Sequence, residues 1–432
     1  MRIPLGLLLF ALAPFSLGQE SAPNVLLVMA DDMGVECVGA YGSDSYRTPR
    51  LDRMAAEGVL FENAHSMPLC TPTRVQIMSG RSNAATYDRF SILAPGVPTF
   101  AQRFAEAGYR TICAGKWQLY GAAHYPEGHR GQGTLPAQAG FHTWLLWQVE
   151  ELGSRYWDPL VERDGELLPV QEGAFGPDLS VDFLLESIDA RGDAPFFAYY
   201  PMALPHNPFV RTPRSAEGEL SREQRFADMV AYVDHCMGRL LDGLEQRGLA
   251  EQTLVLFTCD NGTNRNIRSS RLGLEVQGGK GLTDDTGTHV PLIGHWPGRL
   301  PAGVRRGELV SLEDVFPTLL AACELASAPE LELSGLSFWP QLQGRSGPER
   351  SWIASYYWPR PTRANTAAVR WARDLSYKLY EDGRLYDLLR DPAEAHPLSV
   401  RAGTPQAAAA ERLRAGLRSL PDPPLRVFRA QD

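Results

Sequence analysis

Asn24-Val25-Leu26-Leu27-Val28-Met29-Ala30-Asp31-Asp32 is an almost unbroken apolar run ending in two carboxylates. Such a run suits a strand covered on both faces, as in a parallel sheet with helices on either side. The aspartates then fall at the strand's carboxyl end. The pattern recurs down the chain. Residues 111–115 form a short strand followed by Lys116-Trp117-Gln118, and residues 195–202 form one followed by Pro205-His206-Asn207-Pro208. Residues 254–259 lead into Asp260-Asn261-Gly262. Helical spacing fills the intervals, at Leu51, Met54 and Ala55, at Val181, Leu184, Leu185 and Ile188, and at Phe226, Met229, Val230, Val233 and Met237. Thr48-Pro49 is expected to cap the first of these helices. Strands alternating with helices imply an α/β fold with a large, mixed, mostly parallel sheet between helices. In such sheets ligands bind beyond the carboxyl ends of the strands. Four strands therefore send Asp31, Asp32, Lys116, His206, Asp260 and Asn261 to one edge.

A second stretch carries the reactive group: Leu69-Cys70-Thr71-Pro72-Thr73-Arg74-Val75-Gln76-Ile77-Met78-Ser79-Gly80-Arg81. Pro72 suits the first position of a helix and Gly80 its end, so Cys70 is expected just before a helix N-terminus. Free N–H groups and the helix dipole favour an anion there, and Arg74, one turn on, adds a permanent charge. A lone cysteine is ordinarily a small buried hydrophobe. The spacing Cys70-x-Pro72-x-Arg74, followed by Gly80-Arg81, sets this one apart.

The chain has 432 residues, more than one ordinary core holds, and its 44% hydrophobic content allows a substantial one. A net charge of −9 argues against a nucleic-acid partner. Residues 1–18 have the form of a secretory signal, with Arg2, an apolar stretch too short to span a bilayer, and the small-residue site Ser16-Leu17-Gly18. An exported protein, periplasmic or extracellular, with no membrane span is expected. The six cysteines show neither zinc-ribbon nor redox-pair spacing. Residues 121–170, rich in Gly, Pro, His and then Trp, read as an irregular insertion. Beyond residue 345 short alternating runs and the turn Glu381-Asp382-Gly383 predict a small antiparallel sheet, followed by an amphipathic helix. The expected organisation is a catalytic domain over 23–344 and a small C-terminal α+β subdomain over 345–432.

Asp31, Asp32, Asp260 and Asn261 offer only oxygen ligands, which favour calcium, with magnesium as the alternative, over zinc. Arg74, Lys116 and Lys280, the last in Gly278-Gly279-Lys280-Gly281, would leave a metal-loaded site net positive and attractive to an anionic ester.

Cys70-x-Pro72-x-Arg74, Ala30-Asp31-Asp32-Met33-Gly34, Thr48-Pro49-Arg50-Leu51-Asp52, Pro205-His206-Asn207-Pro208, Asp260-Asn261-Gly262, Gly279-Lys280-Gly281 and Leu385-Tyr386-Asp387-Leu388 together resemble the formylglycine-dependent sulfatases, of alkaline-phosphatase-like architecture. The resemblance covers nearly all of the mature chain. It implies that a maturation enzyme oxidises Cys70 to formylglycine, whose hydrate attacks sulfur to give a sulfate hemiester. It further implies a metal on Asp31, Asp32, Cys70, Asp260 and Asn261, and a hydrate held by Arg74 and Lys116. Lys280 would bind sulfate oxygens, and His206 would contact sulfate and protonate the leaving alcohol. The family usually has Gly-Lys-Trp-His-Leu-Gly where this chain has Gly115-Lys116-Trp117-Gln118-Leu119-Tyr120-Gly121. Gln118 cannot take up a proton at neutral pH, so the base for hemiester collapse falls to another group; His124 and His289 are the candidates. Among Trp144, Trp147, Tyr156, Trp157, Tyr356, Tyr357 and Trp358, some are expected to stack on sugar rings. The reading is hydrolysis of a sulfate ester of a sulfated carbohydrate, the substrate partner being a sulfated small molecule or glycan. The alternatives are a phosphoester or phosphonate hydrolase on the same scaffold and a non-catalytic sulfated-glycan binder.

Overall fold

The computed structural model describes residues 22–359 and 367–422. The proposed signal at 1–18 lies outside the described residues. Sixteen strands run in chain order as β1 Asn24–Ala30, β2 Val59–His65, β3 Arg110–Lys116, β4 Thr143–Trp147, β5 Glu162–Arg163, β6 Glu166–Leu167, β7 Phe196–Pro201 and β8 Thr253–Cys259, then β9 Arg268–Arg271, β10 Leu274–Gln277, β11 His289–His295, β12 Val304–Ser311, β13 Ile353–Tyr357, β14 Val369–Arg373, β15 Tyr377–Tyr380 and β16 Leu385–Asp387.

Ten strands form one sheet in the order β12-β2-β11-β8-β1-β7-β3-β4-β5-β6. β1 pairs in parallel with both β7 and β8, and β3 in parallel with β7 and β4. All seven residues of β1 are buried, as expected of a central strand flanked by helices. β11 runs antiparallel to β8 and β2, which makes the sheet mixed. The parallel strands end together, so the residues after β1, β3, β7 and β8 emerge along one rim. At Gly115 a Cβ would lie 2.2 Å from the Pro201 carbonyl oxygen of β7. Only glycine allows that approach just before Lys116.

Two expectations need correction. Residues 121–170 are not simply irregular: Thr143–Trp147 joins the main sheet beside β3, and β5 and β6 extend that edge. Its five residues, TWLLW, are all buried, but the run is short and apolar on both faces, so it shows no alternation to detect. The first helix, α1 (Pro49–Ala56), is not capped by the Thr48 side chain. Asp234, on helix Arg222–Gln246, accepts instead from Arg50 N at 2.9 Å and Leu51 N at 2.8 Å.

The small four-stranded sheet, β13-β14-β15-β16, is antiparallel throughout. Helix Pro405–Ser419 covers one face, burying Ala410 and Leu413 against Ala372, Leu379 and Leu385. The other face, with Tyr357, Trp371, Tyr380 and Tyr386, packs on Met67 just ahead of the Cys70 segment. Among the described residues no helix is long and apolar enough to cross a membrane. All six cysteines are free and buried.

Candidate active site

The second helix, α2, spans Cys70–Ser79 and all ten of its residues are buried. Cys70 thus opens the helix instead of preceding it, and Pro72 is its third residue. Proline is harmless there too, because the first turn's N–H groups have no intrahelical partner. Gly80 closes the helix in the left-handed conformation, as expected.

Helix start and sheet rim meet. The Cys70 sulfur lies within 4.8 Å of carboxylate oxygens of Asp31 and Asp260, and Asp31, Asp32 and His206 form a second group of the same closeness. Each cation has a carboxylate. Lys116 Nζ donates to Asp31 Oδ2 at 2.6 Å, Lys280 Nζ to Asp32 Oδ2 at 2.8 Å, and Arg74 Nη2 to Asp260 Oδ2 at 2.9 Å. Arg74 also donates through Nη1 to the Lys116 carbonyl at 3.1 Å, tying α2 to the end of β3. His206 Nε2 stands 3.8 Å from Asp32 Oδ2. All the residues singled out from the sequence for this rim are therefore brought together.

The electrostatics is that of a site short of positive charge among its oxygens. Burial, then the neighbouring Asp31, pushes Asp260 up to about 7, against the pull of Arg74 and Lys116. Burial would also raise Asp31, but Lys116, His206, Arg74 and Lys280 outweigh it and hold it well below the usual range. Asp31 Oδ1 and Asn261 Oδ1 are buried and accept no hydrogen bond, while Asn261 Nδ2 donates to Asp32 Oδ1 at 2.8 Å. Orphaned buried acceptors are costly unless something fills them. These two oxygens, with the carboxylates of Asp32 and Asp260 beside them, fit a hard divalent cation. Burial raises the Cys70 thiol, with Lys116 and Lys280 offsetting only part. An un-ionised thiol is a weak nucleophile, so the unmodified side chain is poorly suited to attack an ester.

Above this floor opens a cavity of about 500 Å³, lined by Cys70, Lys116, Gln118, His206 and Lys280 among others. Arg74 and the aspartates lie beneath it. The sequence reading missed Tyr125, Gln148 and Arg155, which also line the cavity. Gln118 and Gln148 follow the parallel strands β3 and β4, both in the left-handed conformation, with φ of 57° and 62°. Backbone of this kind in non-glycine residues concentrates at functional sites. Both amides approach the Tyr125 hydroxyl, at 3.3 and 3.1 Å, and both amide oxygens lack a partner. Gln148 escaped notice because β4 did. Lone polar residues such as Tyr125 and Arg155, in a loop, left no periodic signal.

Of the two candidate bases, His124 lines the cavity, with Nε2 3.4 Å from Gln148 Nε2, and burial lowers its pKa. His289 does not line it; its ring stacks on His65, and Nε2 lies 2.7 Å from the Glu62 carbonyl. Of the seven aromatics only Trp147 lines the cavity. Trp144, Tyr156, Tyr356 and Tyr357 are buried core residues, and Trp157 packs on Phe175 with Nε1 donating to Arg211 O.

The sheet order and the rim of acids and bases define an alkaline-phosphatase-like fold, and solved structures agree. That of Ps i-CgsB in complex with k-i-k-neocarrahexaose superposes with a TM-score of 0.76 at 22% identity, over 94% of each chain. That of BT4656 in complex with D-glucosamine-2-N,6-O-disulfate gives 0.73 at 19% identity, over 92% of this chain and 97% of that one. The phosphonate monoester hydrolase of Agrobacterium radiobacter gives 0.70 at 21% identity, over 92% and 95%. At such identities the likeness is one of fold.

Sequence relatives narrow the class. The family model for Sulfatase matches residues 23–325. The N-acetylgalactosamine-6-sulfatase of Canis lupus familiaris is 32% identical over 378 residues, 78% of this chain and 70% of that protein. Arylsulfatase A of Homo sapiens is 31% identical over 458 residues, 92% of this chain and 88% of that protein. The chain belongs to the sulfatase family and is a sulfuric ester hydrolase.

Proposed function

We propose that this protein removes sulfate from a sulfated carbohydrate, outside the cytoplasm, with Cys70 converted to formylglycine by a maturation enzyme and a calcium ion beside it. The observation that carries the reading is the meeting of Cys70 with Asp31 and Asp260, where the Asp31 Oδ1 and Asn261 Oδ1 oxygens are orphaned, beneath a cation-lined cavity.

Asp31, Asp32, Asp260 and Asn261, with the side chain at 70, would hold the metal. Calcium suits this oxygen set, with magnesium as the alternative, and when bound it supplies the charge that polarises a sulfate oxygen. Formylglycine supplies, as its hydrate, the attacking oxygen. The chain's own residues do the rest. Lys116 and Lys280, now on Asp31 and Asp32, line the cavity and would be available to the hydrate and to sulfate oxygens if a divalent cation held those carboxylates. Arg74 holds Asp260 and, through the Lys116 carbonyl, the end of β3. His206 would give the proton to the leaving alcohol, work worth about 10²–10⁴-fold. Gln118 would position without exchanging a proton, and of the two candidate bases His124 is the one that lines the cavity.

The carbohydrate part is supported by the activity for which the N-acetylgalactosamine-6-sulfatase relative is named and by the sugars bound in two of the similar structures. It is also supported by the unpartnered Gln118 and Gln148 amide oxygens, which suit sugar hydroxyls. Export is supported by the leader-like residues 1–18. The test is release of sulfate or phosphate from aryl sulfates, aryl phosphates and sulfated oligosaccharides by the protein and by Cys70→Ala. Sulfate release from the sugars, lost in the variant, is the expected result. Phosphate release alone, or sulfate release that survives Cys70→Ala, overturns the reading.

A further inference from the structure

Arg155 has no place in the chemistry above, yet it lines the cavity. Its guanidinium carbon lies 4.0 Å from the centroid of the Trp147 ring, a cation–π contact. Nη1 lies 3.0 Å from His206 Nδ1. That nitrogen is also 2.6 Å from the Asn207 carbonyl oxygen. The two contacts compete, because Nδ1 either carries a proton for the carbonyl or offers a lone pair to the guanidinium. Among the described residues no other hydrogen bond and no carboxylate engages the Arg155 side chain. Of its five donors, at least four have no protein partner.

The other lining cations differ. Lys116 and Lys280 each rest on an aspartate beneath the floor. Among the described residues none of the lining side chains is acidic. Arg155 is thus an unbalanced, fixed charge with a free fork in a half-enclosed cavity. A guanidinium fork matches the two oxygens of a carboxylate or sulfate, and the contact with Trp147 holds it at the cavity wall. Because Arg155 approaches His206, the residue assigned to the leaving alcohol, its partner belongs to the sugar and not to the sulfate under attack.

We infer that Arg155, held on Trp147, binds a second anionic group of the substrate, a carboxylate or another sulfate on the leaving sugar, and so selects multiply charged glycans. The inference rests on the proposed sulfatase reading of the cavity, and its test keeps the two apart. Binding is measured by calorimetry on the inert Cys70→Ala protein. The ligands are a monosulfated hexopyranoside, the same ring with a second sulfate, and the same ring with a carboxylate, all at one ionic strength. Turnover is followed separately as sulfate release by the active protein, with Arg155 intact or changed to Gln or Lys.

In the Cys70→Ala background the doubly charged ligands bind more tightly than the monosulfated one. Adding Arg155→Gln reduces that preference by about 10–100-fold, the factor a charge-assisted pair supplies, and Arg155→Lys retains part of it. The arm that shows the larger preference names the second group. In turnover the ratio of kcat/KM between doubly and singly charged substrates falls in parallel, chiefly through KM. Equal losses on all substrates would mean that Arg155 acts through His206 or on the reacting sulfate, and would overturn the inference. So would an absence of preference in the parent protein. Binding preference without any sulfate release would leave Arg155 its role and remove the sulfatase reading instead.

Discussion

Lys378→Met tests how the small sheet supports the site. Lys378 Nζ donates to Glu394 Oε1 at 2.7 Å and to the carbonyl of Thr283, three residues beyond Lys280. Its side chain is 1% exposed and that of Glu394 7%. The ammonium also sits 5.2 Å from the Trp371 ring centroid and 5.0 Å from that of Tyr380. Glu394 accepts as well from the Tyr380 hydroxyl, so removing the lysine leaves a buried carboxylate with one neutral donor. Breaking a buried pair from one side costs about 3–5 kcal/mol. At about 2.1 cal/mol/K per residue, cooperative unfolding of 432 residues carries an entropy of about 0.9 kcal/mol/K, so Tm should fall by about 3–6 °C. Lys378→Met/Glu394→Gln removes the stranded charge and should recover most of that loss. KM for a sulfated substrate should rise in the single variant, because the segment carrying Lys280 loses an anchor. Calorimetry and initial rates on the three proteins suffice. A single variant within 1 °C of the parent, or a double variant less stable than the single, would refute the reasoning.

Arg373→Met removes the partner of Asp285, whose carboxyl burial would raise but which Arg373, His65, His289 and Lys378 hold well below the usual range. A depressed pKa stabilises above the unfolded value of about 3.9 and is lost as pH falls through the folded one; the Tm gap between parent and variant should therefore narrow below about pH 4, and a constant gap from pH 7 to 3 would contradict this. Gly262→Ala would place a Cβ 1.9 Å from the Thr286 carbonyl oxygen, so it should displace Asn261 and lower calcium affinity at least tenfold in a titration; unchanged affinity would show that the two loops yield freely. Chelation should abolish sulfate release and lower Tm, both restored by calcium, whereas full activity after exhaustive chelation would exclude a metal at Asp31 and Asp260.

The rim was legible because it follows from local rules. Buried runs at residues 24–30 and 254–259 mark central strands, and parallel strands that end together put Asp31 and Asp260 side by side whatever the loops do. The register of β1 against β8 pairs Ala30 with Cys259, which aligns the residues that follow. Part of the cavity wall was not legible. Trp147 ends a five-residue strand recognisable only from its neighbour β3, Gln148 follows that strand, and Arg155 reaches the cavity through tertiary packing on Trp147. The cap on α1 failed for the same reason: Asp234, 184 positions away, took the amide that Thr48 was expected to satisfy.

The central claim is that the side chain at position 70 is an aldehyde in the working enzyme. Mass spectrometry of the proteolytic peptide carrying residue 70, from protein made alongside a maturation enzyme, tests it directly. The account predicts the mass of formylglycine or its hydrate, in a fraction that tracks specific activity from batch to batch. Full sulfate-releasing activity in protein whose peptide carries only the unmodified thiol would contradict it.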